Sequence, residues 1–381
     1  MIRPESGSTR GRPTPAPHKL SVAIVAASPR STGGQSVQAE ILMRHWQEDP
    51  ELEVAFIPID PVLPRWIAWV ERLRGLRTLA RQPFYWVALW RGMRGVECVH
   101  IFSASYWSFV LAPLPAWVIA RLHGKRTLVN YHSGEAPDHL RRSRLAVALL
   151  RHADTLVVPS RFLETVFHRF GLEPRTVPNI VDVGQFHYRR RSPLRPLLLC
   201  TRGFHPYYGI DVVVQAFVEV KRSFSEARLC LVGKGPLEGK IRAMVSSRRL
   251  SGVDFVGDLP HDQISRVYDA SDVFVNASWI DNMPLSILEA FASGTPVATT
   301  APAGIRYLVD HERTGLLCEP GDWKGLADNV LRLLHDPHLA SRIAESAQQE
   351  SRRYTWDEVR DAWLQIYRSL ARTRASTYAP G

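Results

Sequence analysis

Four cysteines in 381 residues, Cys98, Cys200, Cys230 and Cys318, lie far apart and form no Cys-x-x-Cys pair. This favours a reducing compartment, argues against a zinc site, and leaves each thiol to read as a small buried apolar residue. Long apolar runs are missing too. No stretch of about 18 uncharged apolar residues exists, and the longest candidate, 107–120, holds Pro113 and Pro115. A membrane-spanning helix is therefore not expected. Residues 1–18 have almost no apolar content, which argues against a secretion signal. Rich in Pro, Ser, Gly, Thr and Arg, they read as a disordered tail. The dinucleotide fingerprint Gly-x-Gly-x-x-Gly does not occur. Neither does Asp-x-Asp, and no metal-binding constellation appears, so neither a metal nor a cofactor is expected.

What the chain has in excess is positive charge, +11 by formal count. Nucleic acid, an anionic membrane and anionic substrates all fit such an excess. No helix-turn-helix, zinc-finger or aromatic–basic RNA signature accompanies it, so nucleic acid is not an expected partner. Much of the excess comes from arginines in the N-terminal half and from Arg189-Arg190-Arg191. The length suits about two domains, and 45% hydrophobic content gives them full cores.

Short apolar runs alternate with helical patterns, the mark of α/β sheets with parallel strands. Strands are expected at 21–28, 54–60, 97–103, 126–132, 155–160 and 176–182. A second set is expected at 197–202, 228–233, 253–257, 273–278, 296–300 and 315–318. Helices of the second half are expected at 210–223, 236–249, 261–270, 285–293 and 323–335. The chain so divides into a tail (1–18), an N-terminal domain (19–183), a polar, basic, proline-bearing linker (184–196), a C-terminal domain (197–355) and a terminal segment (356–381). That last segment carries an amphipathic helix pattern with Trp356, Val359, Trp363, Ile366 and Leu370 on one side. The expected fold class is α/β, two Rossmann-like doubly wound domains facing across a cleft. Ligands then bind outside the C-terminal ends of the strands.

The stretch 276–300 reads as strand end, loop, short helix, Gly-Thr-Pro turn and next strand. Asp281 and Glu289 stand eight residues apart across that loop and helix. Asn282, Met283 and Pro284 form the turn, and Pro284 fits the first helical position, where its missing N–H costs nothing. The free N–H groups from Met283 to Ser286, with the helix dipole behind them, make an anion site suited to a diphosphate. Glu289, further along, is within reach of a sugar hydroxyl such as a ribose. The outline is that of a nucleotide-sugar site. Arg202, ending the first strand of the second set, can clamp a diphosphate. Gly33 and Gly34, after the first strand, let backbone approach a ligand closely. His132 ends the fourth strand at the cleft edge; a structural histidine bonded to a loop carbonyl is the other reading.

This pattern resembles the signature of the retaining glycosyltransferases of family 4, Glu-x7-Glu followed by Ala, Gly and Pro-Val. Glu289-Ala290, Gly294 and Pro296-Val297 match, and Asp281 replaces the first glutamate. The resemblance covers most of the chain. It implies a glycosyltransferase B fold and transfer of a sugar, with retention, from a nucleotide-diphosphate donor to an acceptor hydroxyl. It implies donor contacts from Arg202, Glu289 and the 282–286 helix start, and a donor sugar positioned by Asp281 and His132. The Gly33-Gly34 loop would lie by the diphosphate and the acceptor. The family's lysine, about six residues after the arginine, falls at Tyr208, which brings a hydrogen bond and no positive charge. Gly233-Lys234-Gly235-Pro236 resembles the turn that borders the nucleotide, with Lys234 read as facing solvent. Val256-Gly257 matches the place where backbone groups hold the base. The C-terminal helix is expected to cross back onto the N-terminal domain. Charge neutralisation would come from the cationic clamp and helix dipole without metal. No carboxylate stands out as a covalent nucleophile, and the path that the resemblance implies is front-face attack.

The segment 64–95 repeats Trp66, Trp69, Val70, Leu73, Leu76 and Leu79 at helical spacing, flanked by arginines. It fits a helix lying on an anionic membrane and equally a core stripe with a solvated basic face. Acceptors in the resembled family are often lipid-linked, which implies a glycan or lipid-linked acceptor and a cytoplasmic location with peripheral membrane contact. Three rival functions stay open: a silent nucleotide-sugar-binding protein, an epimerase or hydrolase on the same fold, which needs an acid/base pair not evident in the sequence, and a charge-driven peripheral membrane or nucleic-acid-binding module.

Overall fold

The computed structural model describes residues 19–30, 33–73 and 75–376, so the 1–18 tail and Arg74 lie outside the described residues. Two parallel sheets organise it. The first takes its strands in the order β2-β1-β3-β4-β5-β6, from Leu20–Ala26 (β1), Leu52–Pro58 (β2), Cys98–Ser103 (β3), Arg126–Tyr131 (β4), Thr155–Val158 (β5) and Arg175–Thr176 (β6). The second runs β12-β11-β10-β7-β8-β9, from Leu197–Cys200 (β7), Arg228–Val232 (β8), Val253–Gly257 (β9), Val273–Asn276 (β10), Val297–Thr300 (β11) and Leu316–Cys318 (β12). Both are α/β, Rossmann-like and doubly wound. In the second sheet the strand order reverses between β7 and β10, and a crevice opens outside their C-terminal ends.

β10 and β11 are buried along their whole length, as is every residue of the helix Leu285–Ser293 between them. A helix buried on every face, as this one is, needs cover on every side, and its polar residues need partners there. One expected strand, 176–182, is nearly absent: only Arg175–Thr176 pairs. Pro178 offers no N–H. Beyond it, the Ile180 N–H goes to Gln38 Oε1 at 2.7 Å and the Val181 N–H to the Tyr354 carbonyl at 2.8 Å. These side-chain and loop partners replace the ladder.

The basic run 189–191 does not present all its charge to solvent. Arg191 is buried and donates to the carbonyls of Tyr268, Ser271 and Ser293 at 2.6–2.9 Å. Ser293 closes the helix Leu285–Ser293, whose last carbonyls attract a cation. Arg189 and Arg195 pair with the buried Asp272. The segment after Phe186 is thus fastened to the second sheet's helices. The C-terminal helix Trp356–Ser376 lays Val359, Trp363, Ile366, Tyr367 and Leu370 on the core of the first sheet. Burial pushes the thiols of Cys98, Cys200 and Cys318 up to about 12, and Cys230 up to about 11, so none is a thiolate at neutral pH.

Candidate active site

Arg202 emerges two residues after β7, at the reversal of strand order. Its Nη2 donates to Asp281 Oδ2, its Nη1 to Ser286 Oγ at 3.4 Å, and its guanidinium lies 3.8 Å from the centre of the Tyr208 ring. Burial opposes the Arg202 charge, yet the Asp281 carboxylate and the facing Tyr208 outweigh it and hold the guanidinium above its ordinary value. Tyr208 therefore occupies the expected lysine position as an aromatic platform that aims the arginine. The turn Pro206–Tyr208 is fixed by Trp279 N–H on the Tyr207 carbonyl at 2.8 Å. It ends on Gly209 at φ 59, where a Cβ would sit 2.1 Å from the Ala277 carbonyl oxygen. Only glycine fits both conditions.

Asp281, for which a donor-sugar contact is expected, has Arg202 as its main partner within the protein. Its other oxygen accepts from Asn282 N–H at 3.0 Å, so that amide is already engaged. Ser278 Oγ adds a third bond at 3.1 Å. Pro284 is the residue before the helix rather than its first member, with φ −68 and ψ 124, and no side chain caps the helix. The Leu285 and Ser286 amides therefore begin the anion-facing end. Met283 turns its carbonyl to Asn179 Nδ2 at 3.0 Å, and Ser160 Oγ donates to Asn282 Oδ1. Both bonds join the 282–283 loop to the first domain.

Glu289 is 6% exposed and held from two sides, by Tyr268 O–H at 2.8 Å and His261 Nε2 at 3.3 Å. Burial disfavours the His261 charge, and the hydrogen bond to Glu289 outweighs it, so that imidazole titrates above its usual value. The Tyr268 hydroxyl meets three oxygens: Glu289 Oε2, the Ser286 carbonyl at 2.9 Å and Thr201 Oγ1 at 2.9 Å. Having one proton, it accepts from Thr201 and donates to one of the others. Tyr268, His261, Thr201, Asn179 and Ser160 are functional neighbours that the sequence reading missed. They belong to no short motif, and Tyr268 lies on a helix whose pattern reads as ordinary core.

The remaining candidates fall around this centre. A Cβ on Gly233 would lie 2.6 Å from the Arg202 carbonyl, so its turn packs directly on the arginine's backbone. Gly233 N–H bonds the Gly257 carbonyl at 2.8 Å, and Val256 is exposed beside it. Lys234 is exposed, as expected, and its Cε lies 3.1 Å from where a Gly257 Cβ would be. From the first domain, a Cβ on Gly34 would lie 4.0 Å from Leu285 Cδ1, and one on Gly134 would lie 3.0 Å from the Asp281 carbonyl carbon. Gly33 precedes the helix Gly34–Glu48, accepts from Ser36 Oγ at 2.7 Å, and would place a Cβ in open space. His132 follows β4, stacks on Phe102 with ring centres 5.1 Å apart, and turns Nε2 into the protein. Burial pushes its imidazole down to about 3, so it is neutral at physiological pH.

In 64–95, the core-stripe reading fails for the residues that defined it, except the half-buried Val70. Trp66 (75% exposed), Trp69 (63%), Leu73, Leu76 and Leu79 all face outward, and Tyr85 and Leu89 supply the buried side. Among the described residues no helix is long and apolar enough to cross a membrane, and no group of three or more His, Cys, Asp or Glu is placed to hold a metal ion.

An arginine and a helix N-terminus at the switch point of one doubly wound domain, abutted by a second such domain, define a protein of the GT-B class. Residues 32–185 match the family model Glycosyltransferase Family 4, and residues 189–350 match Glycosyl transferases group 1. The chain belongs to the family 4 glycosyltransferases. The glycogen synthase of Mycobacterium tuberculosis H37Rv is 28% identical over 265 residues, 67% of this chain and 64% of that protein. The chain thus matches less than two thirds of that relative's length. Sucrose-phosphate synthase from Thermosynechococcus elongatus shares the fold with a TM-score of 0.74 at 22% identity, over 92% of this chain and 99% of its own. Anabaena HepE, in complex with UDP-glucose, gives 0.70 at 17% identity, over 94% and 100%.

Proposed function

We propose that the chain transfers a hexosyl group from a nucleotide-diphosphate sugar to an acceptor hydroxyl, with retention and without a metal ion. The observation that carries the proposal is Arg202, buried beside the helix start at Leu285 and Ser286 and braced on Tyr208. The diphosphate would lie on these groups, the ribose on Glu289, the base along Val256 and Gly257, and the sugar near Asp281 and His132. Leaving-group charge develops on the phosphate, where a guanidinium and helix amides act most strongly. The departing oxygen would take the acceptor's proton in a front-face attack. The HepE complex with UDP-glucose and the sugar-transferring relatives support this reading, and UDP is the first nucleotide to try.

The acceptor would be a glycan or lipid-linked molecule bound by the first domain, in polysaccharide or glycolipid synthesis at the cytoplasmic membrane face. The outward tryptophans and arginines of 65–91 support peripheral contact with an anionic membrane. Binding to anionic and not neutral vesicles, weakened in Trp66→Ala with Trp69→Ala, is the expected result.

The test of the donor site is calorimetry with UDP, GDP and ADP on wild type and Glu289→Ala. One nucleotide should bind selectively, at least about tenfold more weakly in the variant, because a hydrogen bond to a charged group is lost. Failure of all three to bind wild type would sink the assignment. A second reading, a nucleotide-sugar-binding protein without turnover, is favoured by one fact: Asp281 already matches the Arg202 charge and no lysine stands at 208. Release of UDP in the presence of acceptor excludes it.

A further inference from the structure

Behind His132, between β4 and the C-terminal helix, lies a small cavity bounded by Gln38, Phe102, Asn130, His132, Ile180 and Trp363 among others. It has room for about one water. Three polar atoms of its lining residues are sealed from solvent and have no hydrogen-bond partner in the protein: Asn130 Oδ1, His132 Nε2 and Trp363 Nε1. Gln38 is already engaged, donating to the Ile180 carbonyl at 2.6 Å and accepting the Ile180 N–H at 2.7 Å. Native interiors rarely leave such atoms unsatisfied. The chemistry of the three is complementary to one molecule. An indole N–H only donates, an amide oxygen only accepts, and a neutral imidazole nitrogen does either. Water offers two donors and two acceptors.

We infer that this cavity holds one structural water, which accepts from Trp363 Nε1 and donates to Asn130 Oδ1 and His132 Nε2, making Trp363 and Asn130 positioning residues for His132. With Nε2 accepting, the His132 proton resides on Nδ1, and Nδ1–H is the group this residue offers to a ligand. The C-terminal helix supports the same ring indirectly, through a series of ring contacts. His132 to Phe102, Phe102 to His100 and His100 to Trp363 are successive ring contacts of 5.1, 4.8 and 4.9 Å. His100 is itself held by Tyr367, Nδ1 to hydroxyl 2.7 Å, one turn after Trp363. A helix from the far end of the chain thereby sets both the orientation and the tautomer of a histidine at the cleft.

The catalytic consequence rests on the transferase reading, whereas the water and the tautomer do not. The experiment is 15N NMR of histidine-labelled full-length protein near pH 7, with the His132 signals assigned by their loss in His132→Gln. A crystal structure of the wild type accompanies it. The expected result is a neutral Nδ1–H tautomer and an ordered water within hydrogen-bond distance of all three atoms. Trp363→Phe keeps the ring and removes the N–H. It should shift His132 toward mixed tautomers and lower kcat about tenfold through misplacement of His132, with donor KM within about twofold. An Nε2–H tautomer in wild type, a dry cavity, or an unchanged tautomer in Trp363→Phe would each overturn the inference. Should wild type show no turnover, the transferase reading falls, and the spectrum and the water still decide this proposal. Should Trp363→Phe not fold, the wild-type spectrum and structure decide it alone.

Discussion

Asp281→Asn separates two roles that the site assigns to one carboxylate. In this structure Asp281 is the counter-ion of Arg202, with the two side chains only 13% and 10% exposed. Removing one partner of a buried ion pair costs about 3–5 kcal/mol, because the other charge is left buried. This pair is not fully sealed, and the asparagine oxygen can still accept one bond, so the lower end applies, about 3 kcal/mol. For a domain of this size that lowers the melting midpoint of the ligand-free protein by roughly 6–12 °C. A nucleotide diphosphate brings the missing negative charge back. In wild type it must share Arg202 with Asp281; in the variant it has Arg202 alone. UDP should therefore bind Asp281→Asn about tenfold more tightly, a gain of about 1.4 kcal/mol. Saturating UDP should recover most of the lost thermal stability, while transfer slows because the sugar loses a carboxylate contact. Calorimetry and thermal melts with and without UDP read each part. Weaker UDP binding together with an unchanged ligand-free midpoint would refute the argument and make Asp281 a donor contact alone.

Tyr208→Leu removes the aromatic face beneath Arg202 and keeps bulk. A cation–π contact of this kind is worth about 1 kcal/mol, so UDP affinity should fall about fivefold, measured by calorimetry. Tyr208→Phe should bind nearly as wild type, since the ring carries the contact. Acid stability follows from His132. Its folded pKa, about 3, lies below the unfolded value near 6.5. Its contribution is therefore full above pH 6.5 and is lost as pH falls toward 3. Within that window His132→Asn should flatten the stability–pH curve by up to about 1.4 kcal/mol per pH unit, seen in denaturant melts.

The parts of the fold that repeat a local rule were legible, and those that depend on distant partners were not. The helices Ile210–Ser223, Leu285–Ser293 and Trp323–His335 have the bounds their patterns predict. Each is delimited by a nearby signal, such as Gly209 before the first and Gly294 after the second. The expected strand 176–182 misled because Val177, Ile180 and Val181 look like a buried run. Their backbone partners, Gln38 and Tyr354, come from elements 142 and 173 residues away in the chain. The same limit applies to the site. Arg202, Asp281 and Glu289 stand out as candidates because strand ends and a helix start position them. That Asp281 faces Arg202 depends on how β7 and β10 adjoin, which spacing alone does not express. The arginine run 189–191 shows the point most clearly: three adjacent positive charges enter the chain's net excess with equal weight. Arg191 instead donates to the carbonyls of Tyr268, Ser271 and Ser293, which only the folded second sheet brings within its reach. Charge counted along a chain therefore overstates what is offered to a partner. The outward arginines and tryptophans of 65–91 are the better guide to what this surface meets.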